Sequence, residues 1–387
     1  MNDNMKTILW LTNIPSPYRV DFFNEFGKCC DLTVLFERHA SKERDNSWKR
    51  ISVENFRAIY LKGIGTRVDA SLCPGVIPFL IKNSFDEIIV TNYSDFTGVA
   101  AIVLLQLMRR PYIIEGDGGI AGSGKGIKES IKKYIIKNSQ LCFSTSGEHD
   151  KYYLSYGMKP EGIVRYPFSS LSNRALIQAQ LLMQHREKLR DKLGMKEKHV
   201  LLSVGRFSYQ NGYGKGYDIL LNVSKLLGAD YGVYIVGDEP TDEFLKMKRD
   251  NGLLQVHYIG FKNREDLSEF YCASDCFVFL SRKEAWGLVV NEAMSFGLPI
   301  ISSEKCIAAT ELVKNFENGF LVNLDDPAEI AEKIRFIIEN EQIRVQYGNN
   351  SREKVEKYTI EGMTEAHAKA LKLEERDGDE SKTYNNR

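Results

Sequence analysis

Long apolar runs are missing from this 387-residue sequence, and none approaches the roughly 18–20 residues that span a bilayer. Residues 1–6 lead into one short apolar strand and a proline-rich turn, without the basic start, apolar stretch and small-residue cleavage site of a signal peptide. A cytoplasmic protein is expected, peripheral on the inner face of the cell membrane if it meets a membrane at all. Net charge is missing too. The 52 basic side chains balance 52 acidic ones, which argues against a nucleic-acid partner. The seven cysteines are odd in number and lack ligand spacing, so reduced thiols are expected and neither a disulfide framework nor a zinc site. No Ser–His–Asp or Cys–His pattern argues for acyl transfer, and no repeat of solenoid period is found.

What is present is a globular balance of 43% hydrophobic and 27% charged residues, which excludes a wholly disordered chain. The length suits two domains. Residues 1–200 hold 29 basic and 21 acidic side chains, and residues 201–387 hold 23 and 31. The neutral total therefore hides a basic first half and an acidic second half.

Short runs rich in Val, Ile, Leu and Phe alternate with helical stretches from end to end. Strands are expected at 7–11, 32–36, 57–61, 87–91, 112–115, 141–144 and 163–166, then at 199–204, 233–236, 256–259, 276–280, 299–302 and 320–322. Continuous apolar strands alternating with helices mean parallel sheets covered on both faces, hence an α/β fold of two Rossmann-like units facing each other across a cleft. The expected boundaries are a first domain over 1–172, a linker helix region over 173–195, a second domain over 196–357, a C-terminal helix over 358–373 and a disordered polar tail over 374–387.

The chemistry concentrates in the second half. After the strand at 276–280, Glu284 and Glu292 flank a helix start at Gly287-Leu288-Val289. Free amides there can meet phosphate oxygens, and the Glu292 carboxylate can accept from a ribose diol. Two glutamates eight residues apart around an anion-binding helix start suit a diphosphate between two polyols; the plain alternative is a surface Glu and a half-buried helix Glu. Arg206 and Lys215 flank the mouth of another strand-to-helix loop, where they can neutralise a departing diphosphate.

Together, Gly205-Arg206 with Lys215-Gly216, Val236-Gly237-Asp238, the Gly260 strand end, and Glu284 and Glu292 ahead of Gly297-Leu298-Pro299 resemble the family 4 retaining glycosyltransferases of the GT-B fold. The second half matches throughout; the first matches by its opening, 13–19, and by its strand–helix rhythm, and that opening resembles members that build bacterial capsule or O-antigen repeats. The resemblance implies donor binding by Arg206, Lys215, Ala285, Trp286, Gly287, Leu288, Val289 and Glu292, a catalytic role for Glu284, and no required metal or cofactor. It also implies a C-terminal helix that crosses back to the first domain, and acceptor-side residues Asn13, Ser16, Tyr18 and Arg19 in the first loop. The expected reaction is retaining transfer of a hexose-type sugar from a nucleoside diphosphate donor, UDP ahead of GDP, to a hydroxyl of a lipid-linked surface glycan. A nucleotide-sugar epimerase and a non-catalytic glycan-binding relative remain as alternatives.

Two departures from the family pattern stand out. Residues 209–214 lengthen the Arg206-to-Lys215 loop, as a lid or as a longer surface loop. Where members carry a His at a strand end in the first domain, this sequence has Glu115-Gly-Asp117. Those acids are expected to face the cleft and either act on the acceptor hydroxyl, cap the glycine loop or bind a metal. His149 begins a helix and could line the cleft, with a capping or surface role the expected one. Finally, Lys125, Lys128, Lys132, Lys133 and Lys137 flank a helix whose Ile127, Ile131, Tyr134 and Ile135 can share one face. That face either packs on the sheet or docks on anionic lipid.

Overall fold

The computed structural model describes residues 5–39, 52–66, 71–119 and 126–373. Lys125 and the tail at 374–387 lie outside the described residues. In chain order the first unit contains β1 (Thr7–Thr12), β2 (Asp31–Phe36), β3 (Arg57–Tyr60), β4 (Ile64–Gly65), β5 (Ser71–Leu72), β6 (Glu87–Val90), β7 (Ile113–Glu115), β8 (Leu141–Ser144) and β9 (Ile163–Arg165). Seven of these form a parallel sheet in the order β3-β2-β1-β6-β7-β8-β9. The antiparallel β4–β5 pair is an addition to the expected strands; two residues a side are too few to show a period.

The second unit contains β10 (His199–Val204), β11 (Tyr231–Val236), β12 (Val256–Gly260), β13 (Cys276–Phe279), β14 (Ile300–Ser303) and β15 (Gly319–Val322). They pair in parallel in the order β12-β11-β10-β13-β14-β15.

β1 shows why the strands read as unbroken apolar runs. Ile8 and Trp10 pack on one face with Phe22, Phe23 and Phe26 of the helix Pro17–Phe26, while Leu9 and Leu11 pack on the other with Ile102 and Leu105 of the helix Phe96–Leu107. Both faces are covered, so neither set of alternate residues is polar.

The chain crosses between the units twice at one place. Outbound, Ser172 caps the helix Asn173–Met183 by accepting from the Ala175 N–H at 3.2 Å. The following helix, Arg186–Leu193, is fastened to the second sheet through Asp275, whose buried carboxylate accepts from Arg186, Arg190, Arg344 and, at 2.8 Å, the Val200 N–H. Returning, the Ile360 N–H donates to the Leu171 carbonyl at 2.7 Å, and the helix Ile360–Ala370 packs on the helix Pro17–Phe26. His367 sits there among Trp10, Phe22, Phe143 and Tyr166, and Lys6 Nζ donates to the Leu371 carbonyl at 2.7 Å.

Candidate functional site

The carboxyl ends of β10, β11 and β13 build the second unit's side of the cleft. Past β10, the N–H groups of Phe207 and Ser208 both donate to the Asp238 carboxylate beyond β11, which fixes the loop that presents Arg206. The Arg206 guanidinium makes no hydrogen bond or ion pair among the described residues. Residues 209–214 are a fastened surface loop at their far end. The Gly214 carbonyl accepts from Ser281 Oγ at 3.1 Å and from the Arg282 N–H at 2.9 Å, and Tyr213 Oη donates to Glu243 at 2.6 Å. Gly216 then has φ of +71°, and a Cβ there would fall 2.0 Å from the Leu280 carbonyl oxygen. A glycine is required for the chain to pass this close to the end of β13. The close pass brings Lys215 Nζ onto the Glu284 carboxylate, with the rings of Phe279 and Tyr209 at 5.1 and 5.3 Å. Gly287 follows and starts the helix Leu288–Ser295, whose first amides lack partners within the helix and lie beside this pair in sequence.

Glu292 stands apart from that pair. Its carboxylate accepts from Ser170 Oγ at 2.9 Å and Tyr271 Oη at 3.1 Å and lines a 260 Å³ hollow with Arg264 and Ser268. Burial pushes its carboxyl above the usual range, against the pull of Ser170, Arg264 and Tyr271. Trp286 is turned inward rather than toward a donor. It is 2% exposed, packs on Phe168 and donates from Nε1 to Asn291 at 2.9 Å, because the turn needs an apolar plug beneath it. Ala285 is exposed, and Leu288 and Val289 are half-buried.

The first unit corrects a larger expectation. Glu115 does end a strand at the cleft side, but it is fully buried and cannot touch an acceptor. Arg19 pairs with Glu115 and with Asp117, Tyr166 Oη donates to Glu115 at 2.9 Å, and His367 Nε2 lies 3.5 Å from its other oxygen. Burial alone would raise the Glu115 carboxyl, yet Arg19 and His367 hold it down at about 2. Glu115 therefore holds an arginine rather than serving as a base, and Arg19, 3% exposed, leaves the acceptor-side set with buried Ser16, whereas the Asp117 side chain stays 44% exposed. Asn13, Tyr18 and Asp117 stay half-buried at the rim, where Tyr18 Oη donates to Asp117 at 3.1 Å. His149 is fully buried, against its expected capping or surface role. A Cβ on Gly116 or Gly119 would come within 3.2 Å of its ring, and burial pushes its imidazole down to about 3. The sequence signal for this was the glycines, which leave room for a ring.

The two units touch at this rim. Gly118, φ +143°, lies so near Ala285 that a Cβ would fall 1.9 Å from the Ala285 carbonyl oxygen. A further hollow, of 980 Å³, lies away from Lys215 and Glu284, between Arg165–Pro167 and Glu311–Tyr358.

The family model for glycosyl transferases group 1 matches residues 185–354, which hold Arg206, Lys215, Glu284 and Glu292. Residues 185–354 are thus similar to the group 1 glycosyltransferases. This chain is 30% identical over 203 residues to a 41.2 kDa protein of the cps region of Klebsiella pneumoniae, covering 52% of this chain and 53% of that protein. It is 31% identical over 225 residues to a D-rhamnosyltransferase of Pseudomonas aeruginosa, covering 56% and 53%. The matches thus span about half the length of these curated relatives. Among solved structures, Anabaena HepE in complex with UDP superposes with a TM-score of 0.75 at 18% identity, over 95% of this chain and 99% of that one. A glycosyltransferase from Rickettsia africae gives 0.75 at 17%, over 95% and 98%. At these identities the likeness is one of fold, and the fold is GT-B. The matched span begins at the linker helix that Asp275 anchors, so it includes the device that joins the second unit to the first.

Proposed function

We propose that the protein is a retaining glycosyltransferase that moves a hexose-type sugar from a nucleoside diphosphate donor, UDP ahead of GDP, to a hydroxyl of a lipid-linked glycan. The observation that carries this reading is the Lys215–Glu284 pair beside Arg206, unpaired among the described residues, and a helix amino end, all at one end of one parallel sheet. A diphosphate placed there meets two cations and oriented amides, which stabilise the charge that develops as the sugar–phosphate bond breaks. The charge is then carried without a required metal. The sugar passes toward an oxocarbenium-like state near Glu284. The acceptor oxygen bonds to the anomeric carbon on the face the diphosphate leaves, and the acceptor proton passes to the departing phosphate oxygen. The UDP bound in the HepE structure, and relatives named for the cps region and for rhamnosyl transfer, support a nucleotide-sugar donor and a surface-glycan setting.

Thermal-shift measurements against UDP, GDP, ADP and dTDP test the donor half directly. UDP at a hundred-fold excess over its Kd should stabilise the protein by about 2.7 kcal/mol, seen as a rise in Tm. No shift with any of the four nucleotides would sink the site.

A second expectation concerns the rim. Gly118→Ala places a methyl group against the Ala285 carbonyl and forces the units apart. Transfer should fall roughly 10–100-fold, since ångström-scale misplacement of two substrates is enough for that, while the UDP thermal shift is kept. Wild-type turnover in this variant would mean that the rim contact plays no part.

A further inference from the structure

Three helices cover one face of the seven-stranded sheet: Val76–Lys82, Phe96–Leu107 and Ile127–Lys137. Their inward residues, among them Leu80, Ile102, Leu105, Ile135 and Ile136, share a single core. Polar ties hold them as one layer. Arg110 donates to the Leu80 carbonyl at 3.0 Å and the Asn83 carbonyl at 2.9 Å. Gln106 Nε2 donates to Tyr112 Oη at 3.0 Å, and Tyr112 Oη donates to the Ile135 carbonyl at 2.6 Å.

The outer side of this layer is apolar as well. Ile127 is 81% exposed, Leu107 79%, Phe96 64%, Tyr134 59% and Ile81 56%. The helix Phe96–Leu107 carries no charged residue at all. A layer that presents large apolar side chains from all three helices exceeds the scatter of single surface leucines found on any protein. The charges beside it are mainly basic, with Asp95 at the amino end of the helix Phe96–Leu107 as an exception. In the three helices and the turn 108–110 there are seven basic residues and one acid, Glu129. Glu129 is itself taken up by Lys132 at 3.1 Å and by Tyr156. Lys128, Lys133 and Lys137 are exposed.

We infer that this helix layer is a docking face for an anionic lipid surface, into which Phe96, Leu107 and Ile127 insert while the flanking lysines meet the headgroups. Among the described residues no helix is long and apolar enough to cross a membrane, so the contact lies in the interface plane. A second copy of the same face is disfavoured as occupant, because basic groups would then meet basic groups. The topology adds direction. β6 and β7 run toward the cleft, so the amino ends of the two helices that follow them, marked by Phe96 and Ile127, lie at the cleft end. Docking on this layer lays the cleft mouth alongside the bilayer. This deepens the proposed function by giving the lipid-linked acceptor a route to the site, and it rests on that reading only for this last step.

Flotation with vesicles of phosphatidylcholine alone, and of three parts phosphatidylcholine to one part phosphatidylglycerol, tests the face at about 20 mM and about 500 mM salt. The protein should float with the anionic vesicles and stay in solution with the neutral ones. K128Q/K132Q/K133Q/K137Q should weaken low-salt binding roughly 100-fold, at up to about fivefold per lysine. F96S/L107S/I127S, all at exposed positions, should abolish the binding that survives high salt. Wild-type protein left in solution with anionic vesicles at low salt overturns the proposal, as does unchanged flotation of the triple serine variant. So does a dimer in solution that the triple serine variant dissolves. Both variants should keep the wild-type UDP thermal shift. Flotation without any UDP shift would instead overturn the donor site and leave the docking face in place.

Discussion

Lys215→Ala should lower sugar transfer by about two to three orders of magnitude, the loss seen when one preorganised charge-stabilising donor is removed from an active site. The reasoning starts from the backbone. Gly216 lets the chain graze the Leu280 carbonyl, and the graze sets Lys215 against Glu284 at the mouth of the cleft. Removing the ammonium takes away a cation for the departing diphosphate and also leaves Glu284 as an unpaired anion facing it, so the two effects act in the same direction. The variant should fold, because Lys215 stands at the cleft mouth, with its stem over Gly205 and its ammonium near the Tyr209 and Phe279 rings, outside the two sheets' apolar cores. Turnover of a UDP-sugar pool, measured with far-UV circular dichroism as the folding control, checks it. Near-wild-type turnover in a folded variant would remove the assignment.

The second large effect is on stability. Arg19→Met should destabilise the first unit by about 3–5 kcal/mol, because it strands the fully buried Glu115 carboxylate without its guanidinium. Arg19→Met combined with Glu115→Gln should recover much of that loss, since neither charge is then buried alone. Urea midpoints of the two variants provide the comparison, and equal midpoints would show that the pair is not coupled. The same cluster has a pH signature. Glu115 is held at about 2 against an ordinary 4.5, a depressed carboxyl, so its contribution is fully present above pH 4.5 and is lost as pH falls through 2. Integrated over that window the loss is about 3 kcal/mol. Glu115→Gln should flatten the acid limb of the stability curve; an unchanged limb would place the acid sensitivity elsewhere.

Residues near one another in the chain were the ones most open to reading. The strands of both sheets announce themselves as apolar runs because burial on two faces leaves their central positions apolar, as at 8–11 of β1 and throughout β13. Lys215 and Glu284 were legible because each sits at a strand-to-helix turn with its own local signature. Glu115 was misplaced for the opposite reason. That it ends a parallel strand is local information, whereas what covers it, Arg19 on one side and His367 from the last helix on the other, comes from far along the chain. Trp286 follows the same logic, since its plug role depends on Phe168 and Tyr358. The helix Phe96–Leu107 carries no charged residue, yet the structure leaves Phe96, Val103 and Leu107 outward, and nothing local in the sequence marks which of its apolar side chains face the core.

The paired crossings have a consequence for how the molecule is made. Lys6 and Leu371 are joined across 365 residues, and the Trp10 side chain shares its packing with His367. A ribosome that has finished the whole first sheet has therefore not yet made the helix that covers Trp10 and Phe22. The nascent first unit must wait, with an aromatic face open to water, until the second unit has been made. Translation delivers the first sheet before the helix Ile360–Ala370 that covers it, so a chain stopped before residue 360 leaves the first unit unfinished rather than merely shortening the second.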